Sequence, residues 1–414
     1  MRLATTSFLL SLMVLPLSPA LADPAETIGI SWAGRGTAGA CTAGVDGLAA
    51  AYYNPALIGS TGAGFFAGAA GVTNSFSPNS AHHKDGFFAE MGLALPVADL
   101  GNFGGLWIGL TALTPPTSFY DIDLYDDEAP VFVRHDSRER RLSLSAALAW
   151  HAFGMAGLGV GFEMLPTVDG IVAVDLADPL GDNHLHVDVG YRLSPIIGIL
   201  FPLPLNLRAG LVWRGQNHTR IRIPVDVEAE GLELAASVGA QAYYVPHRIA
   251  FGLEWESPFG VAIEGDITWA RYKSMPHPSP GVALLDEAGQ DALGGTLPKT
   301  HFQNTVSPAL SIKFSGWLNA AMGYRFTPAT TRNQPGRSNL LDGAEHTVAA
   351  GIRIPVLLMT GNPGTIYLTG DFFTTIMVPG RYTKEEFLPD NAGFPSIEFS
   401  GYRIGGGLGI ELEY

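Results

Sequence analysis

With a single cysteine, Cys41, the chain cannot form a disulfide within itself. Basic residues are scarce as well. Lys and Arg total 24 against 39 Asp and Glu, a formal net charge of −15, which is the wrong sign for a nucleic-acid partner. Charges of both signs make up only 15% of the chain, while 47% of residues are hydrophobic and 51 are Gly. Past the N-terminal region there is no apolar run approaching the ~20 residues that a bilayer-spanning helix requires. So much apolar character without an apolar block means that the hydrophobic residues are spread thinly. A transmembrane β-barrel has this signature, because each strand shows lipid an apolar residue only at every second position.

The N-terminus is predicted to be an export signal. Met1 and Arg2 give a short basic start, Phe8 to Leu17 an apolar stretch with one Ser and one Pro, and Ala20-Leu21-Ala22 a small-x-small cleavage site. Residues 1–22 are therefore expected to be removed, with Asp23 opening the mature chain. The C-terminus reads as a strand. Its even positions are Tyr402, Ile404, Gly406, Leu408, Ile410, Leu412 and Tyr414, and its odd positions Arg403, Gly405, Gly407, Gly409, Glu411 and Glu413. Alternate side chains of a strand face opposite ways, so one face is greasy and the other small or charged.

The same alternation recurs upstream. Leu142, Leu144, Ala146, Leu148 and Trp150 oppose Arg141, Ser143, Ser145, Ala147 and Ala149; Ile249, Phe251, Leu253 and Trp255 oppose Arg248, Ala250, Gly252 and Glu254. Fourteen strands are predicted, at 61–72, 86–97, 104–115, 139–152, 155–169, 186–200, 205–222, 243–256, 260–272, 304–315, 317–327, 345–354, 364–375 and 401–413. Tight connections such as Phe153-Gly154 and Ser257-Pro258-Phe259 alternate with long ones at 116–138, 223–242, 273–303, 328–344 and 376–400. Short periplasmic turns and long extracellular loops produce this rhythm. The inner face would carry Arg208, Arg214, Glu254, Glu264, Asp266, Lys313, Arg325, Arg353, Asp371 and Arg403, which are expected to pair across the lumen because an unpaired internal charge is costly. Whether one of the cations instead receives a substrate carboxylate is left open. The expected fold is thus an all-β membrane protein, a 14-stranded antiparallel transmembrane barrel over 61–414.

Residues 23–60 do not alternate and are rich in small side chains, so they are expected to pack inside the barrel as a plug of short helices and turns. Gly34-Arg35-Gly36 with Gly39, Asp46-Gly47-Leu48-Ala49, and above all Asn54-Pro55-Ala56 just ahead of the first strand resemble the N-terminal hatch of the FadL/TodX family. That family comprises outer-membrane channels for long-chain fatty acids and other hydrophobic compounds. Val245-Pro246-His247 with the strand after it, Asp266 to Tyr272, Leu318 to Phe326 and Asp342 to Gly351 resemble later elements of the same family. The resemblance covers nearly the whole mature chain, and fourteen strands is the family's number. Cys41 inside the hatch and a final Tyr are departures from it.

What the resemblance implies is uptake across the bacterial outer membrane. The partners would be a hydrophobic small molecule together with outer-membrane lipid and lipopolysaccharide, and a closed barrel needs no second copy to satisfy its backbone, so a monomer is expected. The cargo is expected to be a long-chain fatty acid, with an aromatic hydrocarbon or another lipid as the alternative; neither the cargo nor the direction of travel is legible in the residues. Three parts are implied: capture in extracellular loops, a movable hatch, and a lateral gap beside the third strand. Val282, Leu284 and Leu285 in one long loop and Phe387, Leu388 and Phe394 in another either bind substrate or pack on one another as a lid. Pro115-Pro116 ends the third strand and marks either the gap or a plain terminus, since Pro donates no ladder bond. Asn54 is expected to anchor the hatch near that gap through bonds to exposed backbone, although Asn-Pro is also a common turn dipeptide.

Catalytic readings fare poorly. His135-Asp136-Ser137 sets triad residue types side by side, but adjacent residues cannot assemble a triad. Gly29 to Gly34 has the wrong spacing for a nucleophile elbow. His184 and His186 share a strand face and His82 adjoins His83, yet no third ligand lies within reach of either pair by sequence. The chain is therefore expected not to be an enzyme and to need no metal or cofactor, with an outer-membrane lipase or a structural or receptor barrel as the lesser alternatives.

Overall fold

The computed structural model describes residues 24–44, 47–78, 85–116, 130–135, 141–152, 156–173, 184–229, 232–275, 281–285, 301–332, 339–358, 364–384 and 395–414. The expected signal peptide lies outside the described residues. Fourteen strands close into one barrel, every neighbouring pair antiparallel. Numbered along the chain, they are β1 (Gly64–Ser77), β2 (Gly86–Asp99), β3 (Gly105–Thr114), β5 (Ser143–Ala152), β6 (Ala156–Ala173), β7 (His184–Leu203) and β8 (Leu207–Arg214). The second half comprises β11 (Arg248–Glu256), β12 (Val261–Ala270), β14 (Thr305–Phe314), β15 (Asn319–Thr327), β17 (Glu345–Leu358), β18 (Thr365–Thr383) and β19 (Ser396–Glu413). The seam joins first strand to last, from Gly64 opposite Glu413 to Ser77 opposite Ser400.

The predicted faces are the observed ones. On β11, Phe251 and Leu253 are 49% and 40% exposed, whereas Glu254 is 1% exposed; on β12, Ile267 is 53% exposed and Glu264 is fully buried. Apolar side chains therefore point outward and carboxylates inward, the reverse of a soluble protein and the arrangement that hydrocarbon demands. Trp150, Trp255 and Trp317 are exposed near strand ends, where an amphipathic ring suits the bilayer interface. Short connections such as Pro204–Asn206 and Ser257–Gly260 lie at one end of the barrel, and the long ones at the other.

Three expectations about strand limits need correction. The strand expected at 205–222 leaves the wall after Arg214: the Gly215 N–H still donates to the facing Pro195 carbonyl at 2.8 Å, but Pro195 has no N–H to return, and the ladder ends there. The chain then re-forms as β9 (Asn217–Ala229), pairs with β10 (Leu232–Val245), and β10 pairs in turn with β13 (Gly281–Leu285) in a separate three-stranded sheet. The stretches read as loops at 223–242 and 273–303 thus hold strands. Likewise β18 runs to Thr383 and β19 begins at Ser396, well inside the loop expected at 376–400. Period-two patterning marks a strand but does not say whether lipid lies beside it.

The lipid-face assignment has a direct test. Phe251→Arg, in the middle of β11, is expected to destabilise the barrel by about 2–4 kcal/mol in urea titrations of protein folded into lipid vesicles. An unchanged midpoint would contradict the assignment.

Candidate functional site

The segment ahead of β1 sits inside the barrel. It holds the helix Ser31–Gly36, the helix Ala50–Tyr53 and the 3-10 helix Pro55–Leu57. None is long enough to persist alone, so lumen contacts must hold them. Much of the segment's main chain has no ladder partner, and charged lumen side chains supply the missing bonds. Cys41 and Thr42 each donate an amide to Asp266 Oδ2 at 2.9 Å, and the Ala43 amide reaches Glu264 Oε1 at 2.6 Å. Lys313 donates to the Gly44 carbonyl and bridges Glu254 and Glu264, while Arg325 Nη2 donates to the Gly39 carbonyl at 2.6 Å. Arg208 pairs with Glu254, Arg214 with Glu163, and Arg353 with Glu411 and Glu413. Lumen pairing was expected; the use of lumen charge to bind main chain was not.

Arg35 is the most heavily bonded of these groups. Nε and Nη2 reach the Asp371 carboxylate at 2.6 and 2.9 Å, and Nη1 and Nη2 reach that of Glu90 at 2.7 and 2.6 Å. All three side chains are buried, with exposures of 0%, 3% and 1% for Arg35, Glu90 and Asp371. Burial acts against the charge of Arg35, and the two carboxylates more than offset it, so its pKa is raised. Glu90 lies on β2 and Asp371 on β18, the strands that flank the β1–β19 seam. Arg35 therefore spans the seam from inside, over Gly407, where an added Cβ would come within 2.2 Å of its Nη2.

Asn54, fully buried, binds through both ends of its amide. Nδ2 donates to the Thr42 carbonyl at 2.6 Å and, more weakly, to that of Ile199 at 3.5 Å, while Oδ1 accepts the Ala56 amide at 3.0 Å and so caps the 3-10 helix. The Asn54-Pro55-Ala56 turn lies against β6 and β7, not against the end of the third strand. Two lumen glycines make room for it: a Cβ at Gly198 would stand 2.1 Å from Asn54 Oδ1, and one at Gly159 would stand 2.3 Å from the Pro55 carbonyl carbon. The other hatch glycines are also contact points. Gly34 faces the Tyr53 hydroxyl, Gly36 lies against Gly351 of β17, and Gly39, at φ 74°, faces the Arg325 guanidinium.

Above the plug, on the long-loop side, two loops cross the mouth. β4 (Val131–Phe132) pairs in parallel with β16 (Leu340–Leu341). Arg134 Nε meets Asp342 Oδ1 at 2.9 Å, Asp342 Oδ2 accepts the Thr330 amide at 2.6 Å, and His135 bonds Glu345. Phe132 packs with Phe76, Tyr382 and Phe399 beside them. Burial pushes the His135 pKa down, with Glu345 opposing. Between this lid and the plug lies a cavity of about 170 Å³, lined by Arg35, Arg134, Arg214, Arg248 and Arg325 with Glu26 and Glu345, and by Tyr53, Tyr272 and Phe373. Guanidinium groups outnumber carboxylates in this lining. The sequence signalled neither the lid pairing nor the cavity, because residues some 209 positions apart create them.

Among the described residues, none of the remaining expected site residues lines the cavity. Val282, Leu284 and Leu285 belong to β13, opposite Val238, Ala236 and Ala235 of β10. Phe387, Leu388 and Phe394 lie outside the described residues. Pro115 is buried and Pro116 exposed, just past β3. Among the described residues β3 pairs with β2 from Gly105 to Thr114, with a register shift between Pro96 and Ala98 of β2, and with β5 from Gly105 to Leu113. Among the described residues no group of three or more His, Cys, Asp or Glu is placed to hold a metal.

No protein-family model matches the chain, and no curated protein matches it in sequence. Solved structures do match in shape. A Pseudomonas aeruginosa FadL homologue superposes with a TM-score of 0.58 at 11% identity, over 96% of this chain and 99% of its own. The toluene transporter TodX of P. putida follows at 0.55 and 12%, over 94% and 99%, and the monoaromatic hydrocarbon channel CymD at 0.58 and 12%, over 94% and 98%. At such identities the likeness establishes a shared fold, that of FadL-type outer-membrane barrels.

Two outcomes follow for the plugged lumen. Arg35→Met strands two buried carboxylates, a change that costs about 3–5 kcal/mol where a buried pair is broken. It is expected to raise leak conductance in planar bilayers while the barrel still migrates fast on unheated gels, and Glu90→Gln with Asp371→Asn should restore the seal. For His135, the lowered pKa means that the folded lid binds fewer protons than the unfolded segment. Lid stability is then full above the ordinary His value of about 6.5 and falls as pH drops below it. Hydrogen exchange at residues 131–135 should quicken on acidification, and His135→Gln should blunt the effect.

Proposed function

We propose that this chain is a FadL-type outer-membrane channel that takes up hydrophobic small molecules by capture on the long-loop side and displacement of the N-terminal hatch. The observation that carries this reading is the plug itself. An irregular, glycine-rich segment fills the lumen of a 14-strand barrel beneath a cavity, and the bonds that seat it all run through side chains, some to its main chain and some as ion pairs such as those of Arg35, so they can be exchanged without unfolding a helix or strand. A water-filled pore would serve greasy cargo badly, since each methylene resists water by about 0.8 kcal/mol.

Long-chain fatty acids are the proposed cargo. Arg35, Arg134, Arg214 and Arg248 of the cavity are ion-paired with carboxylates, but Arg325 donates to the Gly39 carbonyl instead, and that guanidinium favours a molecule with an anionic head over a neutral hydrocarbon. The neighbouring structures named for toluene and monoaromatic hydrocarbons keep aromatic cargo as the alternative. Lateral release beside β3, with Pro115-Pro116 at its end, would have to part strand pairing that faces lipid, where each unsatisfied backbone group costs several kcal/mol, and the register shift between Pro96 and Ala98 of β2 is where that pairing is already interrupted.

Cells lacking their own long-chain fatty acid channel should regain uptake of labelled oleate when they carry this protein. No uptake through an assembled, heat-modifiable barrel would reject oleate and turn the question to toluene.

A further inference from the structure

Four short turns are fully described, and each carries one large apolar side chain at its apex: Phe103 between β2 and β3, Leu205 between β7 and β8, Phe259 between β11 and β12, and Trp317 between β14 and β15. Their exposures are 74%, 82%, 90% and 82%, so they touch almost nothing of the protein. Water-facing turns are ordinarily built from Gly, Pro, Asn, Asp and Ser, and such residues already make these bends. In the first turn Gly101 and Gly104 have positive φ, and Asp99 accepts the Gly101 amide. In the third, Ser257 accepts the Phe259 amide and Gly260 has positive φ; in the fourth, Asn319 accepts the Gly316 amide. The apical side chains are surplus to the turns. Leu205 even works against its own, since its φ of 65° is one that a bulky side chain seldom adopts.

Three observations select lipid as what covers these apices. The first is height. On β14 the outward apolar run is Val306, Pro308, Leu310, Ile312 and Phe314, with exposed Asn304 beyond it, and on β11 the run from Ile249 to Trp255 is shorter still. A strand of that length, tilted by about 40°, rises about 20 Å. The apolar band of a bacterial barrel is about 25 Å tall, and here it gains the difference only by continuing through Phe259 and Trp317. The second is a hydrogen bond: Trp150, on the outer face of β5, donates its Nε1 to the Phe103 carbonyl at 2.7 Å. A lipid-side ring thus satisfies turn main chain, which is what a depth with little water requires. The third is distribution. The four turns span ten consecutive strands of the ring, from β2 round to β15, whereas a docked protein would cover one sector.

We propose that the short-turn rim is a lipid-binding surface, with Phe103, Leu205, Phe259 and Trp317 inserted among the headgroups and first acyl carbons of the phospholipid leaflet at that end. The barrel is then seated by its turns as well as by its wall, and its lower mouth opens at the membrane surface instead of standing clear of it. Asp99 and Glu256 flank the apices, and no Lys or Arg lies within 99–105, 203–207, 256–261 or 314–319. The attraction is therefore apolar, requires no anionic lipid and survives salt. It holds whatever the channel carries.

The test uses the full chain folded into phosphatidylcholine vesicles, in a Cys41→Ala background. Phe259→Cys and Trp317→Cys, each labelled with an environment-sensitive dye, are expected to be quenched severalfold more by spin-labelled lipid than Glu398→Cys, whose side chain is 79% exposed at the long-loop end. Aqueous iodide should give the reverse order, and molar salt should alter neither. A second variant needs no dye. Leu205→Asn places at φ 65° a residue that tolerates that conformation well, so an apex in water would gain stability. An apex in lipid loses it: the urea midpoint is expected to fall in bilayers of long-chain lipid and to recover in thinner ones. A raised midpoint in every bilayer would overturn the proposal. So would apical dyes that iodide reaches as readily as the one at position 398, and the rim would then be left to a soluble protein partner.

Discussion

A backbone that is neither helix nor strand has to be hydrogen-bonded wherever water is scarce, and a plug inside a barrel faces this constraint along most of its length. Here the lumen resolves it with charge. Asp266 and Glu264 take the amides of residues 41–44, Lys313 and Arg325 meet carbonyls at Gly44 and Gly39, and Arg214 donates to the Tyr52 carbonyl. Each of these side chains sits on a strand whose opposite face is greasy. The wall therefore serves two solvents, lipid outside and polypeptide inside, and the period of two lets one strand meet both.

The second half of the constraint is steric. Main chain can approach main chain only where no Cβ intervenes, and the lumen face supplies glycine at those places. Gly210 lies under Thr42, Gly323 under Thr37 and Gly351 under Trp32, each so close that an added methyl would fall within 2.7 Å of plug backbone. Much of the chain's glycine content is thus an imprint of the plug on the wall. Composition alone showed the glycine; only the packed structure shows what it is for.

The wall was legible in the sequence because lipid enforces strict alternation: β12, β14 and β15 fall within two residues of their expected ends, whereas β11 begins at Arg248 because the expected residues 243–245 belong to β10. The part played by Asn54 was half legible: bonding to backbone was expected, but its partners, Thr42 and Ile199, lie elsewhere than beside Pro115. What could not be read are pairings between distant segments. Arg35 meets Asp371 across 336 positions, and β4 meets β16 through four residues with no strand-length pattern. The sheet of β9, β10 and β13 was missed for another reason: outside the bilayer nothing forces one face to be apolar, so its residues carry no lipid signature.

Arg35 precedes the first strand of the barrel, and the seam it spans joins that strand to β19. Only when β1 and β19 are paired do Glu90 on β2 and Asp371 on β18 stand close enough for one guanidinium to bond both. The plug is accordingly tied to the seam as well as to the lumen wall. It makes the segment ahead of the barrel a keystone for the closing pair of strands, and a barrel shut without its plug would lack a cross-tie that reaches over four strands.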